Sequence, residues 1–300
     1  MAKTNASVSN KIRHSKGENI FNVFNIIIMI VMMFVCAYPF WYVICASFSN
    51  ADALVLTEGL IWWPVKFDLL AFERVLQDSQ VWIGYGNTIF YVVVGTFVNI
   101  IMTVLCAYFV SRSYEIPGKK AISIMIVFTM YFSAGMIPGF LNIQDLKLYD
   151  TRWSIVLPGA INVFNMVIMR TAMQSIDASM EESAQLDGAS QFTILFKIML
   201  PLTKATIAVL VLYYGVAHWN SWFNAMLYLQ DSTKHPLQLY LRQVLMLNET
   251  SATQDATDSP MLGESIRYAN IVVATVPILL LYPFLQKYFV KGMMVGAVKG

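Results

Sequence analysis

Glu181-Glu182-Ser183-Ala184-Gln185-Leu186-Asp187-Gly188-Ala189 opens a polar island that runs on to Ile198-Met199-Leu200-Pro201. Helical spacing is legible on both sides of the glycine. Asp177 or Ser179 can cap the first helix, and Ser179 with Glu182 three residues on has the capping-box pattern. Met173, Ile176, Met180 and Ala184 give its apolar stripe. Gly188 permits the left-handed turn that a side chain resists. Ser190 can cap a second helix with the stripe Phe192, Leu195, Phe196 and Met199, closed by Pro201. The expected product is a helix–turn–helix with a compact tip at Asp187-Gly188, protruding from whatever lies on either side.

What lies on either side is greasy. The chain is 57% hydrophobic and 13% charged, about half the charge of an ordinary soluble domain. Six stretches lack Asp, Glu, Lys and Arg: 19–51, 79–111, 121–144, 153–169, 205–230 and 268–286. A helix of roughly 20 residues crosses the hydrocarbon core of a bilayer. The 153–169 run is short, but its bounding Arg152 and Arg170 can extend their charged tips to the two interfaces. A soluble helical protein would need charged outer faces on these segments. The reading is an all-α integral membrane protein with six transmembrane helices, centred near Phe24–Ile44, Trp82–Val110, Ala121–Leu141, Trp153–Met169, Ala205–Leu227 and Tyr268–Tyr288.

Lys and Arg placement sets the orientation. With a cytoplasmic N-terminus, thirteen of them fall in inside segments and seven in outside ones. Both termini are therefore expected in the cytoplasm, and the polar island falls in the inside loop between spans four and five. The domain reading is an N-terminal tail 1–18, a six-span domain 19–290 containing the inner loop 173–201 and the outer loop 228–266, and a C-terminal tail 291–300. Gly135, Pro138 and Gly139 mark a break at the outer end of span three; Pro39, Pro158-Gly159, Pro277 and Pro283 fall within other spans. Leu237, Leu239, Leu241, Val244 and Leu245 suggest a short surface helix or strand. Cys36, Cys45 and Cys106 lie inside spans, which gives no disulfide framework and no metal spacing. The net charge of +2 gives no reason to expect nucleic acid.

Glu182-Ser183-Ala184, Gly188 four residues on, and Ile198-x-Leu-Pro ten after the glycine resemble the EAA loop of ABC importer permeases, with Ser183 for the usual alanine. Ala46-Ser-Phe-Ser49, Asn87-Thr88 and the ending Lys291-Gly292 … Gly296-Ala-Val-Lys-Gly300 resemble carbohydrate permeases, in particular the smaller six-span permease of maltose-type importers. The ending Tyr282–Gly300 is similar to the LplC/YtcP subgroup. The resemblance implies the type I ABC importer permease fold in a bacterial cell membrane. It implies that Glu182 meets a basic residue of a separate ATPase and that the Gly188 turn sits in that subunit's groove, with Ser183, Ala184 and Asp187 as further contacts. It implies as partners a second homologous permease, two ATPase subunits that bind ATP and Mg, and an extracellular or periplasmic sugar-binding protein, a lipoprotein in a Gram-positive host. This chain is expected to hold no cofactor and no catalytic site.

Sugars are held by hydroxyl hydrogen bonds and by aromatic faces. Trp219, Asn220, Trp222 and Asn224 in span five, Asn162 and Asn165 in span four, and Asn99 in span two are the candidates for the substrate pathway. Each Asn has a competing use as an interhelical hydrogen-bonding group. A proton- or sodium-coupled transporter would place ionisable residues at the midplane, and only His218 lies within a span. A membrane enzyme would need an acid–base or metal constellation that the sequence lacks. Gly118-Lys119-Lys120 has neither the glycine spacing nor the hydroxyl of a phosphate loop, so the energy for transport must come from a partner.

Overall fold

A computed structural model describes residues 15–57, 59–111, 118–251 and 263–280. Helix α1 (Lys16–Ser47) starts at a reciprocal capping box between Ser15 and Glu18 and continues through Pro39 without ending. Its apolar side chains from Ile20 to Val35 stand exposed, a surface suited to lipid or to another helix rather than to water. The segment that follows folds back as α2 (Ala51–Val55) and α3 (Leu70–Gln77). Here Ala46-Ser-Phe-Ser49 acts as a clasp. The Ser49 hydroxyl accepts from Val65 N (2.9 Å) and donates to the Cys45 carbonyl (2.7 Å), while Phe48 packs on Phe67 and Phe72.

Helix α4 (Ser79–Ser111) passes through a π-helical turn at Tyr91–Gly95. Of the described helices, α1 and α4 are each long and apolar enough to cross a bilayer alone. The third apolar run breaks where its glycine sits. Gly135 (φ +93°) turns α5 (Lys119–Tyr131) into α6 (Met136–Asp145) at 120°.

The fourth run is not the continuous helix expected over Trp153–Met169. It forms α7 (Trp153–Val156), an irregular stretch around Pro158-Gly159, and α8 (Val163–Gln174). Pro158 has no N–H to give, and the helix restarts only where the Asn162 side chain accepts from Asn165 N (3.1 Å). The polar island supplies α9 (Ala178–Leu186) and α10 (Gln191–Leu202), and α10 meets α11 (Lys204–Trp219) at 82°. The fifth run also breaks, because the Asn220 amide turns back to the Val216 carbonyl (2.9 Å) before α12 (Phe223–Tyr228).

Beyond it lies α13 (Leu237–Ser251), and then α14 (263–280), which carries the sixth run. Leu237, Leu239 and Leu241 are buried, so α13 is a docked helix rather than a surface strand. Its start lies so close to α4 that a side chain at Gly84 would come within 3.0 Å of the Leu237 backbone. Asn87 and Thr88 complete the dock. The Asn87 amide donates to the carbonyls of Thr233 (2.7 Å) and His235 (3.1 Å), and Leu237 N donates to Thr88 (2.9 Å). The C-terminal tail 291–300, most of the 1–18 tail, the end of the sixth run and the acidic stretch 252–259 lie outside the described residues.

The inner core joins α4, α8, α10 and α11 through Val104, Ala107, Met166, Met169, Met173, Ile194, Leu195, Met199 and Leu210. The methionines, flexible and polarizable, fill the irregular space between α4, α8 and the bent pair α10 and α11.

Candidate functional site

The polar island between α8 and α11 is built from its backbone outward. Asp177 is the N-cap of α9, accepting from Ser179 N at 2.9 Å. That places Ser179 inside the first turn, so the Ser179–Glu182 capping box does not form. The bond from Ser179 N holds the Asp177 carboxyl below the usual aspartate range. At the other end, Gly188 N donates to Gln185 O and Ala189 N to Ala184 O, both at 2.9 Å, with Gly188 at φ +78°. These are the paired bonds of a Schellman motif. Ala184 and Ala189, brought together by those bonds, both pack on the inner core. Ser190 then caps α10, accepting from Thr193 N at 3.2 Å.

Beyond this anchored base the tip is bare. Glu182, Ser183, Asp187 and Gly188 are exposed. Leu186 is 90% exposed and Phe192 is 68% exposed. Of the stripe Phe192, Leu195, Phe196 and Met199, Leu195 and Met199 are buried, together with Ile194, whereas Phe192 and Phe196 are exposed. Leu186 and Phe192 are thus site residues that the pattern did not mark. The remaining signal was a leucine two residues before an αL glycine, where a purely solvated helix end would carry a polar residue. A π turn at Leu195–Met199 precedes Pro201, whose missing N–H leaves a carbonyl of that turn without its helical partner. The exposed tip thus presents the apolar side chain of Leu186 together with the carboxylates of Glu182 and Asp187.

The pathway candidates do not form one site. Asn99 is buried, with its amide donating to the Gly159 carbonyl (2.6 Å) and its Oδ1 2.6 Å from His218 Nε2. Tyr214 hydroxyl lies 2.6 Å from Thr103 Oγ1 and accepts from Asn162 N (3.2 Å). Together they form a polar seam that satisfies the backbone groups freed by the break between α7 and α8. Gly95 makes room for it, because a side chain there would meet the His218 ring at 2.5 Å. Asn162 caps α8 and Asn165 is buried beside it; Trp219 is buried, while Asn220 and Asn224 are exposed. Trp222 stands apart, with the Arg242 guanidinium 3.8 Å over its ring.

Residues 81–295 match the model of the family described as "Binding-protein-dependent transport system inner membrane component". The chain belongs to that family. As a member of it, the chain is a multipass membrane component made of helices. It is 39% identical over 275 residues to the polygalacturonan/rhamnogalacturonan transport system permease protein YtcP of Bacillus subtilis, covering 91% of this chain and 96% of that protein. Protein LplC of the same organism is 39% identical over 289 residues, covering 96% and 97%. The resemblance to the LplC/YtcP subgroup therefore holds. Among solved structures, a chain of a bacterial ABC transporter involved in the import of the acidic polysaccharide alginate superposes with a TM-score of 0.83. It is 36% identical and covers 93% of this chain and 100% of that one. In this family member the docking of α13 and the seam account for Asn87, Thr88 and Asn99, while helix α9 carries Glu182.

Proposed function

We propose that the chain is the permease subunit of an ATP-driven importer of oligosaccharides, forming half of the translocation pathway and receiving force through residues 173–201. Family membership supports the transport role. The names of its relatives, which handle polygalacturonan and alginate, support the substrate class. The complete assembly would contain a second homologous permease, two ATPase subunits that bind ATP and Mg, and a binding protein that delivers the sugar. Six spans with both termini in the cytoplasm follow from the apolar runs and from the thirteen-to-seven distribution of Lys and Arg.

One observation carries the coupling role: an exposed tip bearing Glu182 and Leu186 is closed by backbone bonds and anchored to the inner core through Ala184 and Ala189. A tip built this way moves as a rigid body. Force on it passes through α10 to the 82° junction with α11 and through the methionine core to α4 and α8. ATP-driven approach of the two ATPase subunits would bring the two tips together and turn the pathway outward, and hydrolysis would reset it. Glu182 supplies the charged contact, and Ser183, Asp187 and Gly188 lie beside it.

The test is the assembled importer carrying Glu182→Ala. Uptake of oligosaccharide should fall at least about tenfold, as expected when one partner of an interfacial charge pair is lost, while membrane insertion and the amount of chain remain normal. ATPase activity should no longer follow the sugar-loaded binding protein. Wild-type coupling in that variant, or a crosslink placing residue 182 outside the cell, would overturn the reading.

A further inference from the structure

A cavity of about 270 Å³ lies between the break after α11, the outer helix α13 and α14. That is close to the lower bound of small-ligand pockets, about 300 Å³, and has room for one sugar ring rather than a chain. Its walls are of two kinds. Leu241 and Ile271 are apolar, while Trp222, Arg242, Gln238 and Thr275 bring polar groups to the same space.

Arg242 is the unusual member. Its guanidinium carbon lies 3.8 Å from the centre of the Trp222 ring, and its Nε is buried with no hydrogen-bond partner. Among the described residues no carboxylate pairs with it, and the two ion pairs of the outer surface belong to Lys234. A buried cationic donor without an acceptor is costly unless something else supplies one. Contact with the indole face holds the guanidinium in place, and no described residue accepts from its N–H edge, which can bind a carboxylate in two parallel bonds. Gln238 is likewise without a hydrogen bond among the described residues. Thr275 Oγ1 donates to the Ile271 carbonyl (2.7 Å) and keeps its lone pairs to accept from a hydroxyl.

We propose that this cavity is a subsite for one carboxylate-bearing sugar residue, its carboxylate on the edge of Arg242, its hydroxyls at Gln238 and Thr275, and its C–H face on Leu241 and Ile271. The subsite rests on the importer reading and narrows it to acidic oligosaccharides. It gives this subunit its own part in selecting substrate, at the outer end of the helices and before the seam. A neutral sugar would leave Arg242 without a partner, so the discrimination falls on charge rather than on ring shape.

The experiment uses the complete importer in nanodiscs of zwitterionic phosphatidylcholine, without its binding protein. Binding of trigalacturonate and of its methyl ester is measured for the wild type, Arg242→Gln, Arg242→Lys and Trp222→Phe. The acid should bind and the ester should bind at least about tenfold more weakly. Arg242→Gln should bring the acid down to the level of the ester, Arg242→Lys should recover part of the difference, and Trp222→Phe should weaken the acid alone. Equal losses for acid and ester in Arg242→Gln would mean a packing role and overturn the subsite. So would displacement of the acid by added phosphatidylglycerol, which would make a lipid phosphate the occupant. Uptake in proteoliposomes separates the two readings. If the wild type imports oligosaccharide with Glu182-dependent coupling but Arg242→Gln does not alter its charge preference, only the subsite fails. If the wild type imports no oligosaccharide, the importer reading fails and takes the subsite with it.

Discussion

The inner tip and the interior seam face the same physical problem, a backbone that stops being helical, and solve it in opposite ways. At the tip, Gly188 N and Ala189 N return to carbonyls of their own helix, and the turn closes on itself. At the break between α7 and α8, the Gly159 carbonyl and Asn162 N are met by Asn99 of α4 and Tyr214 of α11, 60 and 52 residues away in sequence. The first solution needs only a glycine and small neighbours, so it can stand in water and be pushed without changing shape. The second needs three helices in register. It belongs where no water can substitute, and its bonds can be exchanged when those helices slide. On the proposed coupling role, a transport cycle would use the first kind of part to carry force and the second to change partners.

Breaking the seam should therefore cost the most. In Gly95→Val the added side chain starts 2.5 Å from His218 Nε2 and must push the ring off Asn99. Overpacking together with the lost bond should destabilise the purified chain by about 3 kcal/mol. Thermal unfolding in nanodiscs measures it, and a melting point equal to wild type would show that the ring has room elsewhere. Asn99→Ala leaves the Gly159 carbonyl and His218 unpaired and should cost about 2 kcal/mol. A double-mutant cycle with His218→Ala checks the pairing, because additive losses would mean that the two side chains do not share a bond.

That contrast also explains what could be read in advance. The tip was legible because its signals are local: Asp177 before α9, Gly188 after it and Ser190 before α10 lie within a few residues of the turns they make. So were the apolar runs and the bend at Gly135. The breaks in the fourth and fifth runs were not, although Pro158-Gly159 was visible, because whether a proline ends a helix depends on who receives its freed carbonyls. Asn99 and Tyr214 decide that, and no spacing rule links them to Gly159 and Asn162. The seven pathway candidates scattered for the same reason: residue type shows that a side chain can hydrogen-bond but not to whom. Phe192 and Phe196 stand on the exposed face because residue type alone does not tell an exposed apolar face from a core face.

At the tip the expected cost is smaller and falls on coupling more than on folding. Gly188 holds φ +78°, and alanine there costs about 1 kcal/mol. Nothing lies within 4 Å of the position that its Cβ would take, so conformational strain is the whole effect. Gly188→Ala should leave the melting point nearly unchanged but raise hydrogen exchange at residues 188 and 189 several-fold, in line with that strain. Unchanged exchange would mean that the Schellman bonds tolerate a side chain and that stiffness at the tip does not depend on the glycine.

The smallest effect expected is a pH response that distinguishes the outer surface from the tip. The Thr233 hydroxyl and N–H, with Lys234 beside them, hold the Asp231 carboxyl at about 2. Asp150 is also lowered, first by Asp231 N and then by Gln230 N and Lys234. Lys234 loses some of its charge preference to burial, but the two carboxylates outweigh this and raise its pKa. An unfolded aspartate titrates near 3.9 and a lysine near 10.4. The carboxylates therefore contribute their full stabilisation above about pH 4 and lose it as the pH falls toward 2. Lys234 contributes below about pH 10 and loses its share only above that. Hydrogen exchange at residues 230–234, corrected for intrinsic rates, should rise between pH 4 and 2, whereas the bonds from Gly188 and Ala189, which end on backbone carbonyls, should not respond. Asp231→Asn should remove the response at residue 233, whose N–H ends on that carboxylate, and leave it at residues 230 and 231, which end on Asp150. If the variant keeps it at residue 233, the acid sensitivity there comes from a group other than this aspartate.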